Sequence, residues 1–463
     1  MPADSQPGTL PLAVRRLDSS PDPERAFVHM YGASPNGFWL DSSAAGVRGR
    51  FCFMGDSEGP LAAVVTYDLG VGEVRIERHG EVEVRSESIF EYLGRELARL
   101  RQSGADLPFD FNCGFAGYLG YELKSECDGA AAHRATTPDA AFVLADRLIV
   151  FDRQERYTYL LSLTEADPWI DETERRLATL PALAEPRVPV SPPFLPRRSR
   201  QRYREDIEAC KRYLTAGHSY EICLTDTLGT EARAEPLELY RALRRANPAP
   251  FASYLRFGDL AVLSSSPERF LSVDPGGCAE ARPIKGTSRR GATPAEDTRL
   301  AAELRGGTKP RAENVTIVDL MRNDFGRVCE IGSVEVPELM KVESYETVHQ
   351  LVSSISGRLR PELGPLDAVR ACFPPGSMTG APKRRTMEII DELEGAARGV
   401  YSGAIGWFGL GGACDLSVAI RTAVIRDGEA SVGAGGAIVA ESDVDEELGE
   451  MWLKAKAVTS AFK

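Results

Sequence analysis

The first part of the chain, to about residue 179, alternates apolar and polar positions in short runs broken by turn residues. Period-two alternation over 61–69 and 73–85 predicts strands, with His79 and Gly80 forming a hairpin turn. Apolar residues at helical spacing predict a helix over 88–102. The run over 141–163 predicts two strands joined by a polar turn, so this part of the chain is predicted to be mostly β.

A proline-rich stretch over 181–200 follows. Because proline continues neither a helix nor a central strand, we predict an extended linker there. After it, Ile207, Cys210 and Leu214 share one helical face and Gly217 stops the helix. Helices then alternate with paired strands without regular β-α-β spacing, which favours an α+β fold over a doubly wound sheet.

Composition narrows the class of protein. The chain has 463 residues, of which 43% are hydrophobic and 27% charged, as in ordinary globular proteins. A net charge of −13 argues against nucleic acid as a partner. Nine scattered cysteines without a C-x-x-C pair indicate reduced thiols. The chain start lacks a signal-peptide pattern, and no apolar run approaches the roughly 20 residues of a membrane span, so we expect a cytoplasmic protein.

Several common motifs are missing from the sequence. It has no G-x-x-x-x-G-K-[ST] loop, and the glycine-rich run 432–442 does not keep the G-x-G-x-x-G spacing. Five dispersed histidines argue against a multi-histidine zinc site. Cys113 could be a nucleophile elbow, but the residues around it favour a strand. No amidotransferase triad is apparent, so we do not expect the chain to hydrolyse glutamine.

The last predicted helix, over 445–462, carries Glu447, Glu450 and Lys454 at positions i, i+3 and i+7. From periodicity alone, the favoured interpretation is a solvated face with a Glu450–Lys454 pair. The alternative is a divalent cation site, which needs a third oxygen ligand from elsewhere in the chain.

Glu313 is a candidate for that third ligand. It precedes a predicted helix whose apolar positions Ile317, Leu320 and Met321 share its face. A carboxylate on the buried side of a helix needs a partner, a cation or a metal. The alternative is a glutamate at the helix N-terminus that the helix dipole stabilises.

Lys285 lies between an apolar residue and a Gly-Thr turn, which places it at the end of a predicted strand. Its side chain could simply reach solvent, as most lysines do. In a desolvated pocket its pKa would fall and the free amine would become a nucleophile. Glu268 could then be the general acid that protonates a leaving hydroxyl.

Nine segments of the C-terminal part carry a family resemblance: SYEICLT (219–225), SPERF (266–270), PIKGT (283–287), AENVTIVDLMRNDFGRV (312–328), ESYETVHQLVSSISG (343–357), PPGSMTGAPKRRTMEIIDELE (374–394), VYSGAIGWFG (400–409), VAIRTAVI (418–425) and GAGGAIVAESDVDEELGEMWLKA (433–455). In the N-terminal part it is carried by FWLDSS (38–43), RFCFMG (50–55) and GFAGYLGYE (114–122). These segments, in this order, resemble the chorismate-utilising enzyme family, which includes anthranilate, aminodeoxychorismate, isochorismate and salicylate synthases.

Two positions separate the branches of this family. The branches that add water to chorismate have a lysine where this chain has Glu221, and anthranilate synthases have an alanine where it has Lys285. The resemblance therefore indicates the aminodeoxychorismate synthase branch, in which this lysine is the covalent nucleophile. Anthranilate synthase component I is the nearest alternative, and a non-catalytic chorismate-binding regulatory subunit is a more distant one.

The resemblance also implies a site. Lys285 and Glu268 would be catalytic, and Mg²⁺ would be held by Glu313, Glu447 and Glu450. The remaining expected residues would bind the carboxylates of the substrate or line its pocket: Arg421, Lys454, Tyr401, Thr287, Thr379, His349, Gly433, Gly435 and Gly436. For the two threonines, shaping glycine-containing turns is an equally open role.

The expected fold is a large α+β architecture like that of anthranilate synthase, with packed β-sheets flanked by helices. We expect an N-terminal region over 1–185, a linker over 186–200 and a chorismate-binding catalytic domain over 201–463, with the N-terminal region sharing in the sheets. The expected partner is a glutamine amidotransferase subunit that supplies ammonia. FWLDSS (38–43) stands where related enzymes build a tryptophan pocket, which could be regulatory or structural.

Overall fold

The computed structural model describes residues 10–43, 49–102, 106–345 and 348–463. Its strands are β1 Ala13–Leu17, β2 Asn36–Asp41, β3 Phe51–Asp56, β4 Ala63–Asp68, β5 Glu73–Arg78, β6 Glu81–Ser86, β7 Gly114–Leu119, β8 Ala140–Ala145, β9 Arg147–Asp152, β10 Tyr157–Ser162, β11 Leu195–Pro196, β12 Glu221–Glu231, β13 Phe251–Phe257, β14 Leu260–Ser266, β15 Arg269–Val273, β16 Cys278–Arg282, β17 Ile284–Arg289, β18 Glu335–Ser344, β19 Val348–Arg358, β20 Gly380–Ala381, β21 Ala404–Gly409, β22 Cys414–Val418, β23 Thr422–Arg426 and β24 Glu429–Ile438. Its α-helices are α1 Pro23–Tyr31, α2 Ile89–Arg99, α3 Pro168–Leu177, α4 Arg200–Thr215, α5 Pro236–Ala246, α6 Pro294–Gly306, α7 Thr308–Gly326, α8 Pro365–Cys372, α9 Lys383–Glu394 and α10 Val444–Thr459.

Within these residues the strands form two twelve-stranded antiparallel sheets. Sheet one runs β1-β10-β9-β3-β2-β13-β14-β23-β24-β12-β11, with β20 also paired to β12. Sheet two runs β17-β19-β16-β15-β22-β21-β7-β8-β4-β5-β6, with β18 also paired to β19. This mixture of helices with two large sheets confirms the predicted α+β class.

Both sheets combine a block of strands from before the proline-rich stretch with a block of strands from after it. In sheet one, β2 pairs with β13, and Trp39 lies opposite Tyr254. In sheet two, β7 pairs with β21, and Gly117 lies opposite Gly406. A Cβ at Gly117 would lie 2.0 Å from the Ala141 carbonyl oxygen of β8, and a Cβ at Gly406 would lie 2.0 Å from the Asp415 carbonyl oxygen of β22, so both positions need glycine. The N-terminal region therefore shares in both sheets, as expected.

The main hydrophobic core lies between the two sheets. Phe53 of sheet one contacts Phe111, whose ring stacks on Trp407 of sheet two with centroids 4.8 Å apart. The outer face of sheet one is covered by helices, and two smaller cores lie beneath them. One of these packs α4, α9 and α10 against β12 and β24, which fixes the helices that carry much of the candidate site.

Most of the short-range predictions are confirmed. The hairpin joins β5 to β6 through His79 and Gly80, which both have positive φ. The helix predicted over 88–102 is α2, and the one that ends near Gly217 is α4, which begins at Arg200 with Ser199 as its N-cap. Cys113 is buried directly before strand β7, as the strand interpretation predicts.

Two local predictions are wrong. The run 141–163 contains not two strands but three, β8, β9 and β10, because buried Asp146 separates β8 in sheet two from β9 in sheet one. Both strands are apolar on both faces, so alternation could not mark the break. Glu313 does not precede its helix, since α7 begins at Thr308 and tolerates Pro310 in its first turn. The dipole interpretation of Glu313 therefore loses its basis.

Candidate active site

The candidate site forms where one end of sheet one meets α7 and the end of sheet two. Lys285 is the second residue of β17, and Glu221 is the first residue of β12. Their side chains meet although they come from different sheets: Lys285 Nζ donates a hydrogen bond of 2.5 Å to Glu221 Oε1. Lys285 is 7% exposed and Glu221 is fully buried, so the lysine does not reach solvent.

The charge state of Lys285 differs from the expectation for an isolated buried amine. Burial acts to lower the pKa of Lys285, but the negative charges of Glu221 and then Glu313 outweigh it and raise that pKa above its usual value. The free amine expected from desolvation alone is therefore not the resting form. Desolvation is only one of two opposing effects on this pKa, and nothing in the sequence indicates that a carboxylate faces the lysine.

Glu268 lies between β14 and β15 and is 5% exposed. Burial raises the pKa of Glu268 to about 7, although the nearby Lys285 ammonium acts to lower it. Its backbone is held in place because its carbonyl accepts a 3.0 Å hydrogen bond from the Val418 amide. A carboxyl group with this pKa carries a proton at neutral pH in a large share of molecules, as a general acid requires.

Three carboxylates predicted as metal ligands surround Lys309 and Lys454. Lys309 Nζ lies 2.6 Å from Glu447 Oε1 and 3.9 Å from Glu313 Oε1. Lys454 Nζ lies 2.6 Å from Glu450 Oε1, so the pair predicted for the last helix is present. Glu447 on the same stripe is buried, so the prediction of a solvated face is wrong. Burial raises the pKa of Glu313 to about 7, against the opposing charges of Lys285 and Lys309.

The three carboxylates supply oxygen atoms of the kind that a hard divalent cation binds. Oε2 of Glu447 is buried without a hydrogen-bond partner among the described residues. Gly436 leaves open the space in front of it, because a Cβ there would lie 3.1 Å from that oxygen and 3.9 Å from Glu450 Oε1. In the described part of the chain no three potential ligands converge closely enough to form a metal cluster, and the Lys309 ammonium lies between two of them.

Six of the expected substrate residues lie together beside α10: Arg421, Lys454, Tyr401, Gly433, Gly435 and Gly436. Lys454 Nζ donates to the Gly435 carbonyl at 2.9 Å, and an Arg421 guanidinium nitrogen donates to the Lys454 carbonyl at 2.7 Å. Arg421 has a φ of 51°, a conformation rare for a residue with a side chain. Tyr401 packs directly on Gly433, where a Cβ would lie 2.2 Å from its ring atoms.

The other three expected pocket residues have partners or surroundings of their own. His349 lies 2.9 Å from Asp297 and 2.7 Å from Ser344, so both of its ring nitrogens are bound. The Thr379 hydroxyl donates to carbonyl groups of its own turn, including that of Gly376 at 3.2 Å. Thr287 is exposed, two residues beyond Lys285. Substrate contacts by these three residues stay predictions.

Sequence reasoning did not place Glu221 or Lys309 in the site. Glu221 was recognised only as a branch marker, because its contact with Lys285 spans 64 positions along the chain. Lys309 could have been found, since it precedes Glu313 by four residues and therefore shares its helix face. The Ser442 hydroxyl donates to Glu447 Oε1 at 2.6 Å, and no sequence motif or spacing indicates this contact.

A separate cavity of about 460 Å³ lies beside FWLDSS (38–43). Its wall combines the end of β2 with charged and aromatic groups from both sheets, including Arg50, Arg269 and Trp407. The cavity stands where the tryptophan pocket was expected, and binding of tryptophan there stays a prediction.

The sequence matches the family of chorismate binding enzymes over residues 63–460, and the chain belongs to this family. It is 47% identical to an aminodeoxychorismate synthase of Streptomyces pristinaespiralis, over 100% of this chain and 66% of that protein. It is 48% identical to an aminodeoxychorismate synthase of Streptomyces griseus, over 97% of this chain and 64% of that protein. The chain thus spans slightly less than two thirds of the length of these two relatives.

The fold is similar to the crystal structure of anthranilate synthase component I from Streptococcus pneumoniae TIGR4. The TM-score is 0.77 at 30% identity, over 90% of this chain and 93% of that chain. This likeness confirms the predicted anthranilate-synthase-like fold. Among the described residues, no helix is both long enough and apolar enough to cross a membrane.

Proposed function

We propose that the chain is the synthase component of an aminodeoxychorismate synthase, which converts chorismate and ammonia to 4-amino-4-deoxychorismate. One observation carries the proposal: Lys285 is buried and hydrogen-bonded to Glu221 within the site of a chorismate binding enzyme. An amine held there can form a covalent bond to the substrate. The relatives from two Streptomyces species, which are named aminodeoxychorismate synthases, support the same branch.

The proposed reaction is a pair of allylic displacements. The Lys285 amine attacks C2 of chorismate, the ring double bond moves, and the C4–O bond breaks. Glu268 gives its proton to the departing oxygen, which leaves as water. Ammonia then attacks C4, the double bond returns, the C2–N bond to Lys285 breaks, and the new C4 ammonium returns a proton to Glu268.

The chain's own cations would orient the substrate. Arg421 and Lys454, beside the backbone of Gly433, Gly435 and Gly436, would hold its carboxylates, with Tyr401 packed against this strand. Mg²⁺, held by Glu313, Glu447 and Glu450, would supply Lewis-acid polarisation of the substrate when bound.

Ammonia would come from a glutamine amidotransferase partner in the cytoplasm. Nothing in the sequence resembles an amidotransferase triad, and a synthase component that is active with ammonium salts would need glutamine only through such a partner. The aromatisation to 4-aminobenzoate, in para-aminobenzoate and folate biosynthesis, would be performed by a separate enzyme.

The test is product analysis by mass spectrometry with chorismate, Mg²⁺ and an ammonium salt. We expect 4-amino-4-deoxychorismate without pyruvate from the unaltered chain and no product from Lys285→Ala. Lys285→Arg keeps a cation beside Glu221 but cannot release its proton, so it should also be inactive. Lys341→Ala, an exposed lysine paired with Glu338, is the control that should keep full activity.

The main alternative, anthranilate synthase component I, predicts different products. Formation of anthranilate and pyruvate by the unaltered chain would show that the branch assignment is wrong. Turnover by Lys285→Arg at the unaltered rate would leave the branch intact but would remove the covalent role of Lys285.

A further inference from the structure

Glu221 has two oxygens in different situations. Oε1 accepts the 2.5 Å hydrogen bond from Lys285 Nζ, whereas Oε2 is buried without a hydrogen-bond partner among the described residues. The residue is fully buried at the start of β12. A buried carboxylate that devotes one oxygen to a single lysine and leaves the other unsatisfied is costly, so it calls for a role beyond packing.

The proposed reaction requires a proton transfer that could be this role. A lysine ammonium has no lone pair, so Lys285 must lose a proton before its nitrogen can attack carbon. The acceptor must reach Nζ and must be free of another proton-transfer task. Glu268 is needed as the acid that protonates the departing oxygen. Among the described residues the cation nearest to Glu313 is Lys309, whereas Lys285 Nζ donates its hydrogen bond to Glu221.

Cys223, the remaining titratable neighbour on β12, does not serve as a base. Burial raises the pKa of its thiol above the usual value, so it holds its proton at neutral pH. Of the groups that act electrostatically on Lys285, Glu221 is also the one hydrogen-bonded to it.

We infer that Glu221 is the base that takes the proton from Lys285 before the attack and returns it when the lysine is expelled. This inference rests on the proposed function. The ammonium and carboxylate become an amine and a carboxylic acid, and no proton leaves the site. The amine then forms the C2–N bond, and after expulsion by ammonia it recovers the same proton from Glu221.

Burial of both partners makes this exchange feasible. In a low-dielectric environment the neutral amine–acid pair is penalised less than the ion pair, so desolvation opposes the charge attraction that holds the proton on nitrogen. At 2.5 Å the proton crosses without movement of either side chain. Two carboxyl groups on either side of the reaction would thus have opposite tasks, with Glu221 accepting and Glu268 donating.

The experiment measures how fast the Lys285–substrate adduct forms in a single turnover with chorismate and Mg²⁺ and without ammonia, by intact-protein mass. Glu221→Gln keeps the shape and a hydrogen-bond acceptor but cannot take the proton. We expect it to slow adduct formation by about 100-fold or more, with chorismate affinity changed less than about threefold. Glu221→Asp retains an acid and should restore part of the rate.

The opposite outcome has an equally clear meaning. If Glu221 only pairs with the ammonium, its removal should lower the pKa of Lys285 through desolvation and leave adduct formation as fast as before, or faster. Such a result overturns the inference, and so does a loss of chorismate affinity as large as the loss of rate. Glu122→Gln, an equally buried carboxyl that binds the amides of Arg398 and Gly399, is the matched control and should keep the unaltered rate.

Failure of the proposed function would be distinguishable from failure of this inference. Unaltered protein that releases anthranilate and pyruvate contradicts the proposed function. Unaltered protein that makes 4-amino-4-deoxychorismate, together with unchanged kinetics in Glu221→Gln, contradicts only the role of Glu221.

Discussion

At the scale of single side chains, the surroundings of Glu268 and Glu221 differ in a way that suits different tasks. Glu268 is desolvated, the Lys285 ammonium acts on it only through its charge, and burial raises the pKa of Glu268 to about 7. Glu221 is bonded directly to the Lys285 ammonium. Two carboxyl groups whose environments differ in this way can perform opposite proton transfers at one pH.

The Glu268 environment predicts a pH dependence. In the proposed reaction Glu268 must be protonated to donate, so adduct formation should fall as pH rises through about 7. Glu268→Gln should slow the reaction by about 10²–10⁴-fold and remove this decrease. The measurement is single-turnover adduct formation between pH 6 and pH 9 in the absence of ammonia, so that the titration of ammonium does not contribute. If Glu268→Gln shows the same decrease in rate with the same midpoint, the decrease arises from the titration of another group.

How much of the site the sequence revealed depends on how far apart its parts lie along the chain. Glu447, Glu450 and Lys454 lie on one helix, so their spacing alone placed them on one stripe, and Glu450 does contact Lys454. Glu221 and Lys285 lie on strands of different sheets, and no local periodicity relates them. The pKa direction of Lys285 was accordingly out of reach, because it is set by a contact and not by burial alone.

At the scale of secondary-structure elements, the C-terminus of α9 is joined to sheet one by a buried ion pair. Glu394 is 4% exposed, contacts Arg398 at 2.7 Å and accepts the Thr225 amide at 2.8 Å. Burial acts to raise the pKa of Glu394, but the charge of Arg398 outweighs it and lowers that pKa. Arg398 in turn donates to the Cys223 carbonyl of β12, two residues from Glu221.

Loss of this carboxylate should therefore destabilise the fold. Glu394→Ala leaves the Arg398 charge buried without its partner, and we expect the free energy of unfolding to fall by about 3–5 kcal/mol. Chemical denaturation monitored by circular dichroism measures the change. Glu388→Ala removes a half-exposed carboxylate from the same helix and should cost less than about 1 kcal/mol. Equal effects of the two substitutions would contradict the importance of the buried pair.

The secondary-structure elements also show which parts of the fold can and cannot be predicted from the sequence. The β5–β6 hairpin and α10 were predictable because alternation or helical spacing and turn residues all agree there. The break between β8 and β9 was not, because both strands are buried and the chain passes from one sheet to the other at Asp146. The passage of the chain from one sheet to another depends on tertiary structure, and a continuous apolar run in the sequence does not indicate it.

At the scale of the whole molecule, the proline-rich stretch is tied by hydrogen bonds to the C-terminal region that follows it. The Arg187 amide donates to Glu238 at 2.8 Å, and the Ser191 amide donates to the Phe462 carbonyl at 3.0 Å. The sheets themselves cross the boundary, since β2 lies between β3 and β13, and β7 lies between β8 and β21. Sequence regions that share central strands have no separate hydrophobic cores, and independent folding requires such a core.

This arrangement predicts that the two regions form one cooperative unit. Cleavage at a protease site introduced within residues 187–190 should leave the two fragments associated, because the β2–β13 and β7–β21 ladders and the core between the sheets hold them. The nicked protein should elute from size-exclusion chromatography with the intact chain and unfold in a single calorimetric transition. The uncut protein carrying the same site is the control. Separation of the fragments without denaturant, or two resolved transitions, would instead support independent domains that meet at the linker.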